Sequence, residues 1–136
     1  MDLGLLIIRG LGGFIMLAHG WPKWPNRSRV AASWAQGGMP VPHVAVPVAY
    51  IVEVPGGLLY MLGLLTGWTS VLMVAFMLVV TWWSIGVRRE PLVSFGVKGY
   101  DVNLALLAMF LATALAGAGR YSLDAALAIS PYWPMR

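Results

Sequence analysis

Ala49–Trp68 reads AYIVEVPGGLLYMLGLLTGW. The stretch is apolar and rich in glycine, long enough for most of a membrane span, and it holds one acid, Glu53, near its middle. A charged side chain at the centre of a bilayer costs at least about 2.5–3.5 kcal/mol on insertion scales. Such a charge needs a neutralising partner or a use. The first apolar segment, Leu3–Gly20 (LGLLIIRGLGGFIMLAHG), carries an equally misplaced cation, Arg9.

Composition sets the class. The chain has 136 residues, 60% hydrophobic and 10% charged, with a mean hydropathy of +0.78. Soluble domains carry about 25% charged residues, so an integral membrane protein is expected. There are no cysteines, which excludes disulfides, thiol redox chemistry and thiolate metal sites. The net charge of +4 reports topology and anionic headgroups in such a chain. Leu3–Gly20 has no basic leader region and no small-x-small cleavage site, and Arg9 interrupts it, so it reads as a retained span.

Four apolar segments, at about 3–20, 44–65, 68–87 and 102–118, each approach the ~20 residues that cross ~30 Å. The expected fold is all-α, an antiparallel bundle of four transmembrane helices forming one domain over residues 1–136. Loop one, Trp21–His43, holds Pro22, Pro25, Pro40 and Pro42 and leaves room for a short interfacial helix at Ser28–Gln36, with Val30 and Trp34 on one side. Thr66 and Gly67 alone join spans two and three. Past span four, Ser122 caps a second short helix, Leu123–Ile129, with Asp124 in its first turn and Pro131 as its stop. Lys23, Arg27, Arg29, Arg88, Arg89 and Lys98 put loops one and three in the cytoplasm, with both termini outside, at a bacterial inner membrane.

Arg9, Gly12, Gly13, Met16 and Gly20 share one helical face, and Glu53, Gly56, Gly57 and Tyr60 share another. At 1.5 Å per residue, Arg9 lies about 9 Å in from the terminal side and Glu53 about 14 Å in from the opposite side. Within a ~30 Å core their Cα atoms then differ by roughly 7 Å in depth. The expectation is a buried Arg9–Glu53 pair. It serves either as a static bridge fixing helix register or as a carboxylate exchanging protons beside a redox partner. Pro55 crowds the carbonyl of Ile51 and kinks the helix near the acid.

A second cluster is expected toward loops one and three. His19 and Asp101 are its candidate catalytic residues, beside Glu53 and Arg9. Trp82, Tyr100 and Asn103 would line a quinone or lipid pocket. The plainer alternative makes the tryptophans an interface belt and Asp101 or Asn103 a helix cap. No metal site is expected: His19 and His43 are the only histidines, and no zinc-ligand spacing occurs. Lys23, Arg27 and Arg29 among Trp21, Trp24 and Trp34 read as a lipid-headgroup anchor, and no nucleic-acid partner is expected.

Five motifs in order carry a family resemblance: LLIIRGLGG with Arg9; AHGWPKW with His19, Gly20 and Lys23; VEVPGGLLYMLGLLTGW with Glu53, Gly56, Gly57 and Gly63; GYDVNLALL with Tyr100, Asp101 and Asn103; and AGAGRYSLDAAL with Gly119, Arg120, Tyr121, Ser122 and Asp124. The chain resembles the DoxX family of small four-span membrane proteins. That resemblance implies a link to quinone-coupled sulfur or thiol oxidation, since the family includes thiosulfate:quinone oxidoreductase subunits and partners of redox-defence enzymes. It also implies a quinone rather than an intrinsic cofactor, and other membrane subunits or further copies of the chain as partners. Where members often have a histidine near the end of span three, this chain has Trp82-Trp83-Ser84. Two functional expectations follow. One is a subunit associated with a quinone-linked oxidoreductase. The other is an accessory subunit of a respiratory or photosynthetic complex, without chemistry of its own.

Overall fold

The computed structural model describes residues 1–93 and 99–129. Lys98, Arg136 and the Pro131 stop signal lie outside them. Every regular element among the described residues is helical. Helix α1 is Asp2–Gly20 and runs on through a tight turn to Lys23. Helix α2 is Arg27–Gln36, α3 is Pro42–Leu62, α4 is Thr66–Val87, α5 is Asp101–Ala116, and α6 is the short Leu123–Ala126.

Three of these, Asp2–Lys23, Pro42–Leu62 and Thr66–Val87, are long and apolar enough to cross a membrane; Asp101–Ala116 is apolar and shorter. The radial pattern is that of a membrane protein. Large apolar side chains face outward on every long helix, among them Ile7, Phe14, Val48, Leu58, Leu72, Val79 and Leu111. Polar groups face inward: Arg9, Glu53, Thr66, Thr69, Ser70, Thr81, Ser84 and Thr113 are buried. In water this distribution would leave the apolar surface unpaid for by any burial. Against lipid tails it costs nothing, and inside the bundle Thr113 pairs with Tyr60, Ser84 with Asn103 and Glu53 with Lys23.

Helices α1 and α3 pack antiparallel, as do α4 and α5, and α1 also touches α5. The core between them is Met16, Val52, Tyr60, Met73, Met77, Leu106 and Phe110. Tyr60 meets Phe110 edge-on with centroids 4.9 Å apart, and its hydroxyl lies 2.7 Å from Thr113 Oγ1. Glycines set the α1–α3 crossing. A Cβ on Gly13 would fall 2.7 Å from the carbonyl oxygen of Gly57 and 2.6 Å from Met61 Cβ. Small residues at such a crossing let the backbones meet and dispersion contacts accumulate.

Several boundaries differ from the sequence reading, among them the end of the first helix at Lys23 rather than Gly20 and the last apolar helix at Asp101–Ala116 rather than 102–118. The turn between α3 and α4 is Gly63–Leu65 rather than Thr66–Gly67. Gly63 takes a left-handed conformation, φ 69°, and the amides of Gly63 and Leu64 return to the carbonyls of Tyr60 and Leu59. This is the usual glycine-terminated helix end. Pro55, as expected, disturbs α3. The helix absorbs the missing N–H by widening into a π turn over Val52–Gly56. A second π turn, Trp83–Val87, ends α4. The short helix after α5 stops at Ala126 instead of Ile129, with Ser122 capping it through the amide of Ala125, as expected.

Because Gly13 sits against backbone, Gly13→Val should overpack the crossing by about 1–3 kcal/mol and lower the melting temperature in detergent, followed by circular dichroism. Gly10→Ala, where an added Cβ meets nothing within 4 Å, should not lower it.

Candidate functional site

The register of α1 against α3 decides where each buried charge goes. Gly57 faces Met16 and Gly13, Gly20 faces Glu53, and Gly63 faces Arg9. Arg9 and Gly20 are about 16 Å apart along the helix. Arg9 and Glu53 therefore occupy opposite ends of the α1–α3 contact, and the expected Arg9–Glu53 pair does not form. The ends of the two spans are not level, which is why counting depth from each end does not bring the two charges together. In the fold, Arg9 stands level with the end of α3, and the first two turns of α1 run beyond it to meet the segment after α5.

There Arg9 is fully buried. Its Nη2 donates to the carbonyl of Tyr121 at 2.7 Å, and it lies within electrostatic reach of Tyr60 and Asp124. Its Nε and Nη1 have no hydrogen-bond partner among the described residues, and no carboxylate among them stands within ion-pair distance of it. Asp124 does a task that its place in α6 does not reveal. Its two carboxylate oxygens accept the amides of Leu65 (2.7 Å) and Thr66 (2.8 Å), capping α4 from far along the chain. Its own amide donates to Gly63. A Cβ on Gly63 would overlap the Arg9 guanidinium, so glycine is required there for space as well as for its φ. At the rim, Asp2 accepts the amide of Arg120 at 3.1 Å.

Glu53 lies at the other end. It is buried, inside the π turn, and Lys23 Nζ donates to its Oε2 in an ion pair. The lysine belongs to the same face of α1 as Met16 and Gly20, one turn further on. The sequence reading ended the helix at Gly20 because of Pro22 and sent Lys23 to the headgroups. A proline in the last turn removes only one N–H, and the tight turn Trp21–Lys23 carries the lysine back inward. Gly20 makes the approach possible, since a Cβ there would lie 2.7 Å from Glu53 Cβ.

Aromatic rings wall this pair. The Lys23 ammonium is 5.8 Å from the centroid of Trp34. Trp34 and Trp83 are tilted with centroids 5.8 Å apart, Trp83 Nε1 donates to the carbonyl of Gly37 at 3.0 Å, and Arg88 covers Trp83 at 5.1 Å. From Arg88 to Glu53 the order is thus cation, ring, ring, cation, anion, and the two cation–ring contacts are of a kind worth about 0.5–2 kcal/mol.

The other expected site residues are dispersed around it. His19 is exposed, its Nδ1 2.9 Å from the carbonyl oxygen of Ile15 on its own helix. Asp101 is exposed at the start of α5, where its amide donates to Leu92 and that of Tyr100 to Pro91. Asn103 donates to Ser84 Oγ at 3.3 Å, tying α5 to the second π turn. Trp82 points outward, 61% exposed, while Trp83 turns in. Lys23, Trp34, Trp83 and Gly20 are thus the members the sequence reading left out of the site. Continuing the Met16–Gly20 face by three residues finds Lys23; nothing in the sequence distinguishes Trp83 from Trp82. Among the described residues no group of three or more His, Cys, Asp or Glu side chains could hold a metal ion.

The DoxX family model matches residues 4–85, more than half of the chain. The chain belongs to the DoxX family. No curated protein and no solved structure matches it significantly.

Two variants test the assignments of the buried charges. Lys23→Met should destabilise the protein, and Lys23→Met with Glu53→Gln should be non-additive by at least about 0.5 kcal/mol in detergent melts. Asp124→Ala should cost about 1–3 kcal/mol, because two amides lose their acceptor.

Proposed function

We propose that this DoxX-family chain is a membrane subunit associated with a quinone-linked oxidoreductase or redox complex. The Lys23–Glu53 pair is its point of contact with the quinone headgroup. One observation carries this reading: an ion pair almost withdrawn from solvent, inside apolar helices and beside two indole rings, within reach of one membrane surface. The residues present fit a quinone. Lys23 offers a hydrogen-bond donor to a ring carbonyl, Glu53 holds a proton-exchanging oxygen, and Trp34 and Trp83 supply faces for a flat ring. A bound quinone would accept two electrons and two protons. The chain has no cysteine, so a redox centre on a partner subunit delivers the electrons and this chain handles binding and protons. His19 and Asp101, exposed at the same end, exchange those protons with water. Arg9 stands apart from this site and secures the opposite end of the bundle.

The helices suit a protein of four crossings. The start of α1 and the segment after α5 meet through Asp2, Arg9, Arg120 and Tyr121, so α5 returns to the end where α1 began. At about 24 Å, α5 is shorter than a ~30 Å hydrocarbon core and completes its crossing through adjoining residues. Lys23, Arg27, Arg29, Arg88 and Arg89 gather at the far end, which faces the cytoplasm of a bacterial inner membrane under the positive-inside bias.

The purified chain in detergent, titrated with a short-chain quinone analogue, should show saturable quenching of tryptophan fluorescence, lost in Glu53→Gln while the helical signal is kept. Absence of quenching, with migration of the chain in a large native complex, would instead favour an accessory subunit without a quinone site. A C-terminal alkaline phosphatase fusion should be active and a C-terminal green-fluorescent fusion dark; the reverse would contradict the four-crossing orientation.

A further inference from the structure

A cavity of about 290 Å³ opens between α2 and the start of α3, with neither Lys23 nor Glu53 in its lining. It is lined by Trp24, Arg27, Ser28, Ala31, His43, Val46 and Pro47. Its volume approaches the ~300 Å³ at which small-ligand pockets begin, more than a bare ion needs. The lining is graded. Ala31 and Val46 are buried and make an apolar floor, whereas Arg27, Ser28 and His43 are exposed at the mouth. Arg27 stacks its guanidinium over Trp24 at 5.3 Å, and Trp24 leans on Tyr50 with centroids 5.1 Å apart. The arginine is thereby held at the rim by aromatic contacts, with no carboxylate in an ion pair to it among the described residues. Below the mouth, Val44, Val48 and Ile51 form an outward apolar stripe on α3, each at least half exposed.

A pinned cation, a hydroxyl, a partly apolar cavity and a hydrocarbon-facing stripe beneath it together match one kind of molecule: an amphiphile with an anionic head and an acyl tail. We propose that this cavity binds the headgroup of an anionic phospholipid, with the phosphodiester at Arg27 and Ser28 and one acyl chain along Val44, Val48 and Ile51. Charge complementarity selects the occupant. A zwitterionic lipid brings a second cation to a site that already holds one, and a quinone brings no charge for Arg27 to meet. The site is separate from the quinone reading and does not depend on it.

The test is native mass spectrometry of the full chain, purified in detergent and equilibrated with equimolar phosphatidylglycerol and phosphatidylcholine. The wild-type chain should retain phosphatidylglycerol preferentially. Arg27→Gln should lose about fivefold of that preference, the factor one basic residue contributes near an anionic surface. Arg120→Gln, at the opposite end of the bundle, should keep it. Inorganic phosphate should not displace the lipid, because it lacks the acyl chain. Equal retention of the two lipids by the wild-type chain, an unchanged preference in Arg27→Gln, or displacement by inorganic phosphate would each overturn the proposal.

Discussion

Close contact between α1 and α3 is the constraint from which the rest of the structure follows. Helices without side chains at the crossing can meet backbone to backbone, and Gly13 and Gly57 provide that contact. Once the two are locked, the vertical position of each charge is fixed, because a helix has no slack along its axis. A charge in hydrocarbon cannot wait for solvent, so whatever lies at its level must neutralise it. Level with Arg9 lies the returning segment after α5; level with Glu53 lies the last turn of α1. The two ends of the bundle therefore close in different ways, one around a cation and one around an anion.

Those two ends suit different tasks. At the Arg9 end the contacts that join the elements are long-range in sequence and local in space. Tyr121 gives a carbonyl to Arg9, Asp124 caps α4, and Gly63 yields its side-chain volume to the guanidinium. Such an arrangement joins the first helix, the α3–α4 turn and the chain after α5 into one unit, which is a structural role. At the Glu53 end the charge sits in a widened turn, paired with a flexible lysine and flanked by indoles. Pi turns are frequent at functional sites, and a buried carboxylate–ammonium pair beside two indoles is the arrangement on which the proposed quinone contact rests. That contrast is why the proposed chemistry is assigned to one end alone.

Much of this was legible in the sequence, and the limits have physical causes. The face Arg9, Gly12, Gly13, Met16 and Gly20 is buried as a unit, because side-chain direction follows from the helical repeat. The disturbance at Pro55 and the Ser122 cap follow equally from local chemistry. What helical spacing cannot supply is the offset between two helices, and the Arg9–Glu53 expectation failed on that offset. Lys23 lies beyond what the spacing shows because Pro22 resembles a helix end, although near the last turn a proline removes only one N–H. Trp82 and Trp83 are adjacent, so their facing depends on the phase of α4. Burial runs through Thr66, Thr69, Ser70, Met73, Met77 and Thr81, and the π turn then brings both Trp83 and Ser84 inward. Asp124 capping a helix that begins at Thr66 is a tertiary contact with no local sign.

The register of α1 on α3 can be measured directly, since the chain has no cysteine of its own. A Cβ at position 57 would lie 3.1 Å from Met16 Cβ, close to the ~3.5–4.5 Å that a disulfide spans. The variant carrying Met16→Cys and Gly57→Cys should oxidise readily in the membrane to a cross-linked species with altered mobility on denaturing gels. The variant carrying Leu5→Cys and Gly57→Cys, neighbours in a register that sets Arg9 opposite Glu53, should stay reduced. Cross-linking of the second pair in place of the first would contradict the account.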